Sequence, residues 1–228
     1  MIRIIGFDLD DTLWHVEPVI IKAEKTVTQW LRQEVSGYEL TPTDMRTIRE
    51  QLMRADPSLG HRLTELRRQV LFEAIHRAGH TDPRGTADQA MEIFLTARND
   101  VDFFEGALDT LAQVANQYTL GAISNGNADI HRLGLADHFS FAFSAEQIGA
   151  PKPEPDLFHA ALEHTGADPH EMVYVGDDPI KDVDAANRVG LKTIWLQSPA
   201  RPEPGETEAD QVITDIRELP AAIAKLAS

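Results

Sequence analysis

The stretch FDLDDT, residues 7–12, sets Asp8, Asp10 and Asp11 within four positions, directly after a short apolar run. Two like charges about 4 Å apart repel by roughly 1 kcal/mol at water's dielectric and by about 4 kcal/mol near a protein surface, so the cluster calls for a cation. Other polar groups follow other apolar runs: Ser124 and Asn125 in ISN (123–125), Lys152 in APKPEPDLF (150–158), and Asp177, Asp178 and Asp182 in VGDDPIKD (175–182). Hard oxygen ligands with no His or Cys among them suit Mg²⁺, which takes one or two carboxylates plus water and substrate phosphate. A carboxylate can also attack phosphorus to give an aspartyl phosphate. Phosphoryl transfer asks chiefly for positioning and charge stabilisation, and a divalent cation, a Lys and hydrogen-bond donors supply both. Taken alone, FDLDDT also suits a solvated, helix-capping turn. An EF-hand fails, because Val19 stands eleven residues past Asp8 where a bidentate Glu is required.

The elements that must carry these groups alternate. IRIIGF (2–7), YTLGAIS (118–124), FSFAFS (139–144), EMVYVGDD (171–178) and LKTIWL (191–196) read as buried strands. Helical patterns lie between them at Glu105–Asn116, Asp156–Thr165 and Pro179–Val189, and NADIHRLGL (127–135) reads as a helix following a strand-to-helix turn. Strand and helix in alternation predict a parallel sheet covered on both faces, whose ligands sit at the carboxyl ends of its strands. The segment 14–98 breaks the rhythm with four amphipathic helices, Pro18–Arg32, Pro42–Arg54, His61–Ala78 and Pro83–Arg98. Thr41 with Asp44, and Asp82 before Pro83, read as helix starts. A crossover needs about a dozen residues or somewhat more, so the surplus between the first two strands is an inserted helical subdomain. RPEPGETEAD (201–210) reads as an exposed loop and IRELPAAIAKLA (216–227) as a closing helix.

Composition narrows the class. The 228 residues carry 21 Lys and Arg against 37 Asp and Glu, a net charge of −16, which argues against nucleic acid or an anionic membrane as partner. Residues 14–98 hold 12 basic and 12 acidic groups, so the whole negative excess lies outside the insert. Cysteine is absent, which excludes disulfides, thiolate metal sites and a Cys nucleophile. The N-terminal apolar run is short for a signal sequence and no run reaches the length of a membrane span, so the expectation is a cytoplasmic protein. The nine His are scattered without metal spacing, and oligomeric state is not legible.

FDLDDT resembles the DxDxT signature of the haloacid dehalogenase (HAD) superfamily, and ISN, Lys152 and VGDDPIKD resemble its second, third and fourth motifs in the same order. The resemblance spans nearly the whole chain and implies an α/β, Rossmann-like parallel core of residues 1–13 and 99–228 with an all-helical cap of residues 14–98. It implies Asp8 as nucleophile and Mg²⁺ ligand, and Asp10 as general acid/base whose main-chain carbonyl binds the metal. Thr12 and Ser124 are implied to hold phosphate or orient the acids, with Asn125 beside them. Lys152 is implied to stabilise phosphoryl charge, Asp177 to ligate Mg²⁺, and Asp182 to support Lys152 or a metal-bound water from behind. Asp178 stands where the family often has a small polar residue, and its role is open.

The implied activity is hydrolysis of a small organic phosphate monoester, with a mobile cap excluding water. Asp10 separates this from carbon–halogen cleavage, which has no alkoxide to protonate. ISNGNADIHRLGLADHF and VGDDPIKDVDAANRVG are similar to the bacterial branch that dephosphorylates flavin mononucleotide and the ribitylamino-pyrimidine phosphate of riboflavin synthesis. Trp14, His15, Arg62, Arg67 and Arg68 are candidates for substrate contact. The alternatives are a dehalogenase, a phosphomutase, a phosphonate hydrolase using Lys22 or Lys25, or a non-catalytic protein that binds a phosphorylated ligand.

Overall fold

Ile4, Ile5, Gly6 and Phe7 are all buried, so β1 (Ile4–Phe7) has no face to offer solvent and must lie inside a sheet covered on both sides. In the computed structural model, which describes residues 1–227, β1 pairs in parallel with β2 (Thr119–Ser124) through Ile4↔Thr119. On its other side it pairs with β4 (Met172–Gly176) through Ile4↔Met172. Outside β2 lies β3 (Phe141–Ser144); outside β4 lie β5 (Lys192–Leu196) and then β6 (Gln211–Ile213). The order is β3-β2-β1-β4-β5-β6 with every pairing parallel. The chain steps outward from β1 to β3 and then returns to β4 beside β1. The change of direction falls between β1 and β4, and the crevice at such a point is where open α/β sheets bind ligands.

One face of the sheet packs Ile123, Tyr174 and Phe141 against Phe158 of α7 (Asp156–Thr165) and against Ala186 and Leu191. The fit is tight where glycine permits it. A Cβ on Gly121 would lie 2.0 Å from Phe141 Cζ, so the ring occupies the space any other residue would need there.

The chain divides into two units, residues 17–101 and the remainder. The second unit has its own core, in which Ala23, Val27 and Leu31 of α1 (Val16–Glu34) and Ile48 of α2 (Pro42–Ala55) are buried. Leu66 and Leu71 of α3 (Leu63–Arg77) and Phe94 of α4 (Pro83–Arg98) complete it. Thr41 and Asp44 form the expected capping box, and the Asp82 carboxylate accepts from the Gly85 amide at 3.0 Å. The division falls three residues later at each end than the sequence reading put it. Trp14 explains the first shift: it bridges to both Asp10 and Phe103, which keeps residues 14–16 with the sheet.

Three readings need correction. Residues 127–135 are turns rather than a helix; Asp129 draws the His131 amide to its carboxylate at 2.8 Å, and Gly134 stands at φ 71°. The helix expected over Pro179–Val189 is a π-helical turn, Pro179–Asp184, followed by α8 (Ala185–Val189). The Asp178 carbonyl accepts from both Asp182 and Val183 amides, which widens the turn. Residues 211–213 form the strand β6, and the last helix is a 3₁₀ turn, Ile216–Glu218, leading into α9 (Leu219–Ala227). α5 (Ala107–Ala115) and the four-residue α6 (Ala145–Ile148) complete the set. No helix among the described residues is long and apolar enough to cross a membrane.

Candidate active site

Phe7 and Val175 are neighbours across the β1–β4 ladder, and the Asp8 amide donates to the Val175 carbonyl at 2.9 Å. The acids that follow the two strands are therefore delivered to one place. Asp8, Asp177 and Asp182 each bring a carboxylate oxygen within 4.8 Å of the others. Lys152 reaches this group from the loop before α7, its Nζ 2.7 Å from Asp182 Oδ1 and 3.1 Å from Asp8 Oδ1. The same Nζ donates to the Tyr174 hydroxyl at 2.6 Å, and that hydroxyl donates to the Ile123 carbonyl at 2.7 Å.

Burial sets the electrostatics. Desolvation works to lower the Lys152 ammonium, but Asp182 and Asp8 outweigh it and hold the pKa above its ordinary value. Desolvation pushes the Asp182 carboxyl up to about 6, against the pull of Lys152 and with help from Asp8. Burial also keeps the Tyr174 phenol well above its usual range, so it stays a neutral hydrogen-bonding group. Asp182 uses its other oxygen to accept from the Asp178 amide at 2.9 Å. Gly176 makes room for it: a Cβ there would stand 2.3 Å from Asp182 Oδ2.

Asp177 is fixed through three contacts. Thr12 is buried, and its hydroxyl donates to Asp177 Oδ1 at 3.4 Å. The Trp195 indole donates to the Asp177 carbonyl at 2.9 Å. Arg201 pairs its Nη1 with Asp177 Oδ2 and brings Nη2 to 3.8 Å from Asp178 Oδ2, while Lys192 and β5 support the loop from below through Asp210. Asp178, left open by the sequence, accepts the Ile180 and Lys181 amides at 3.0 and 2.9 Å and so starts the π-helical turn.

Asp10 lines the cavity beside the three-acid group, and its Oδ1 accepts from the Trp14 indole at 3.1 Å. Trp14 is fully buried, edge-on to Phe103 with ring centroids 5.6 Å apart, so it holds Asp10 rather than standing free to meet a substrate. Asp11 lies beyond β1, which ends at Phe7. It adopts φ 59°, a conformation Asp tolerates better than most residues, and accepts from the Val16 amide at 3.0 Å. Ser124 ends β2 with its Oγ accepting from the Gly126 amide at 3.0 Å. Asn125 grips the Lys152 backbone in both directions, donating to its carbonyl at 2.8 Å and accepting from its amide at 2.7 Å. Asp8, Asp10, Ser124, Lys152, Asp177 and Arg201 line one open cavity of about 190 Å³.

A family model described as haloacid dehalogenase-like hydrolase matches residues 2–190. The chain belongs to this family. Among curated relatives of this hydrolase, the 5-amino-6-(5-phospho-D-ribitylamino)uracil phosphatase YigB of Escherichia coli is 33% identical over 210 residues, covering 90% of this chain and 86% of that one. The phosphoserine phosphatase of Thermus thermophilus is 29% identical, covering 95% and 97%. Among solved structures, a 2-haloacid dehalogenase from Pseudomonas syringae pv. Tomato DC3000 matches with a TM-score of 0.94 and 38% identity over 99% of each chain.

Within this HAD-like hydrolase, the structure brings together Asp8, Asp10, Ser124, Asn125, Lys152, Asp177 and Asp182, all named from sequence. The cap candidates have partners within their own unit. Arg67 lies 3.7 Å over the Phe94 ring and pairs with Glu24, and Arg68 pairs with Glu65 and Asp88. Tyr174 and Arg201 were missed. A Tyr inside the apolar run MVYV was a signal, since a buried hydroxyl needs a partner. So was Arg201, the one Lys or Arg between Lys192 and Arg217 in an acidic stretch.

Proposed function

We propose that this hydrolase is a Mg²⁺-dependent phosphatase of a small organic phosphate monoester, working through an aspartyl phosphate on Asp8. The observation that carries the reading is the setting of Asp8. Its buried Oδ1 meets no donor in hydrogen-bonding geometry, though Lys152 stands 3.1 Å away and two further carboxylates crowd it. A buried acceptor in an all-oxygen, net-negative group fits a hard divalent cation. Asp8, Asp177 and the main-chain carbonyl of Asp10 would hold Mg²⁺, which supplies charge neutralisation for phosphate oxygens.

The residues then divide the work. Asp8 attacks phosphorus, the ester P–O bond breaks, and Asp10 gives its proton to the departing alkoxide. Asp10 next takes a proton from water, whose oxygen attacks the aspartyl phosphate; inorganic phosphate leaves and Asp8 is regenerated. Lys152 offsets charge on the transferring group, with Asp182 and Tyr174 holding its ammonium in position. Ser124 contributes a hydroxyl at the phosphate end of the cavity. The helical unit, with its own core, is proposed as the cap that sets substrate choice and excludes water.

The riboflavin-pathway phosphate handled by the Escherichia coli relative, and flavin mononucleotide, are the first substrates to test. Mg²⁺-dependent release of phosphate from an aryl phosphate, abolished in Asp8→Asn, is the expected result. Full activity in Asp8→Asn removes Asp8 as nucleophile, and no hydrolysis with Mg²⁺ sinks the phosphatase reading and leaves a phospho-ligand-binding protein. A second reading, dehalogenation, draws on the 38% identical structure. Asp10 weighs against it, since a departing halide takes no proton; halide release from a 2-haloacid without phosphatase activity would reverse the choice.

A further inference from the structure

Arg201 lines the same cavity as Asp8 and Asp177 and has no task in the reaction above. Its guanidinium enters from the solvent side, 37% exposed, and pairs with the carboxylate of Asp177, which is 3% exposed. The loop that carries it is tied down. The Arg201 amide donates to the Ser198 carbonyl at 3.0 Å, and the Gln197 side chain donates to the Pro202 carbonyl at 2.7 Å. Farther along, the Glu206 and Thr207 amides each donate to Asp184 at 2.8 Å, and the Thr207 hydroxyl does so at 2.6 Å. Asp184 is itself buried, so a clasp inside the fold returns Arg201 to the edge of the site.

The distribution of charge gives this arm a purpose. Three carboxylates share the site. The Lys152 ammonium stands between Asp8 and Asp182, at 3.1 and 2.7 Å, and Asp177 is left to Arg201. A divalent cation on Asp177 and a guanidinium on the same carboxylate repel one another, strongly where water is scarce. We propose that Arg201 is a built-in counter-cation that competes with the divalent metal for Asp177, so that this residue sets how tightly the metal is held. The proposal rests on the reading of Asp177 as a Mg²⁺ ligand. It makes Arg201 a tuning residue for the metal site rather than a catalytic one.

The test is calorimetric titration of the full chain with Mg²⁺ alone, comparing wild type with Arg201→Ala and Arg201→Lys. Removing the competitor is expected to lower the Kd for Mg²⁺ by about tenfold, within the usual range of coupling between sites, with Arg201→Lys intermediate. Thermal unfolding gives a second readout. Arg201→Ala should melt below wild type in chelator, where Asp177 has lost its partner, and the gap should close in excess Mg²⁺, because binding to the folded state stabilises it. An unchanged or raised Kd in Arg201→Ala overturns the proposal while leaving the phosphatase reading intact. So does an unchanged Kd accompanied by a higher substrate KM, which would make Arg201 a substrate contact. If wild type and variant alike bind no Mg²⁺, the metal reading of the site falls and this proposal falls with it.

Discussion

The indole of Trp14 donates to Asp10 Oδ1 at 3.1 Å while its ring stands edge-on to Phe103. The acid four residues earlier in sequence is thus oriented by a side chain locked in the core of the sheet-bearing unit. Trp14→Phe keeps an aromatic ring beside Phe103 but removes the donor. A neutral hydrogen bond contributes about 1 kcal/mol net, so turnover of alkyl phosphates should fall by about fivefold with little loss of folding stability. Steady-state kinetics together with a urea midpoint checks both halves; equal losses of stability and turnover would reduce Trp14 to packing.

Asp10→Asn probes the acid itself. Proton transfer by a positioned side chain is worth about 10²- to 10⁴-fold, so hydrolysis of an alkyl phosphate should drop by that order. An aryl phosphate, whose leaving group needs less protonation, should be affected much less. Paired kcat measurements on the two ester types decide it, and equal losses on both would remove Asp10 from the acid's role.

Asn125→Ala removes both side-chain hydrogen bonds that hold the Lys152 backbone. Leaving partly buried backbone groups without partners should cost about 1–3 kcal/mol of stability. Turnover should fall by up to about 100-fold, the scale set by a misplaced catalytic group. Urea unfolding and phosphate release measure the two effects. Wild-type turnover in a destabilised variant would show that Tyr174 and Asp182 hold Lys152 unaided.

Arg3 ties the start of β1 to the start of β4 through Glu171, with hydrogen bonds of 2.9 and 2.5 Å that draw the Glu171 carboxyl down to about 2. In the unfolded chain a Glu titrates near about 4.3, so the folded state binds this proton less tightly. The pair's contribution is therefore present above the unfolded value and is lost as pH falls through about 2. Wild type should be more stable than Glu171→Gln at neutral pH, and the gap in urea midpoint should close in acid. A constant gap would mean that the charge of Glu171 is not what stabilises the pair.

β1, β2, β4 and β5, and the acids that follow β1 and β4, were legible because buried β-branched runs announce themselves and because chemistry follows strand ends in this architecture, whereas β3, with Ala142 exposed, showed only through its Phe residues. Asn125 was found, but not its hold on Lys152, since no periodicity encodes a side chain reaching a backbone 27 residues away. The same limit hid Trp14 as the support of Asp10. Its indole could have faced either way, and the bridge to Phe103 decides it. Residues 127–135 carry a helical pattern, yet Asp129 competes for the amides a helix would use. β6 has three residues, with Val212 exposed, and it is a strand only because β5 lies beside it. Arg201 reaches the site through a loop whose course is set by Asp184, a contact that only the folded chain contains.

Ile4 finds its two partners at Thr119 and Met172, so the central strand of the sheet leaves the ribosome well before either of its neighbours. Closing a loop of that length costs entropy that local contacts cannot repay, and folds dominated by such distant pairings form slowly. Until β2 and β4 exist, the IIGF segment is an apolar strand with both edges open, the kind of surface on which nascent chains aggregate. The strand that leads into Asp8 thus waits unpaired on the ribosome until β2 and β4 follow it. Expression yield should respond to changes in residues 4–7 more sharply than equilibrium stability does.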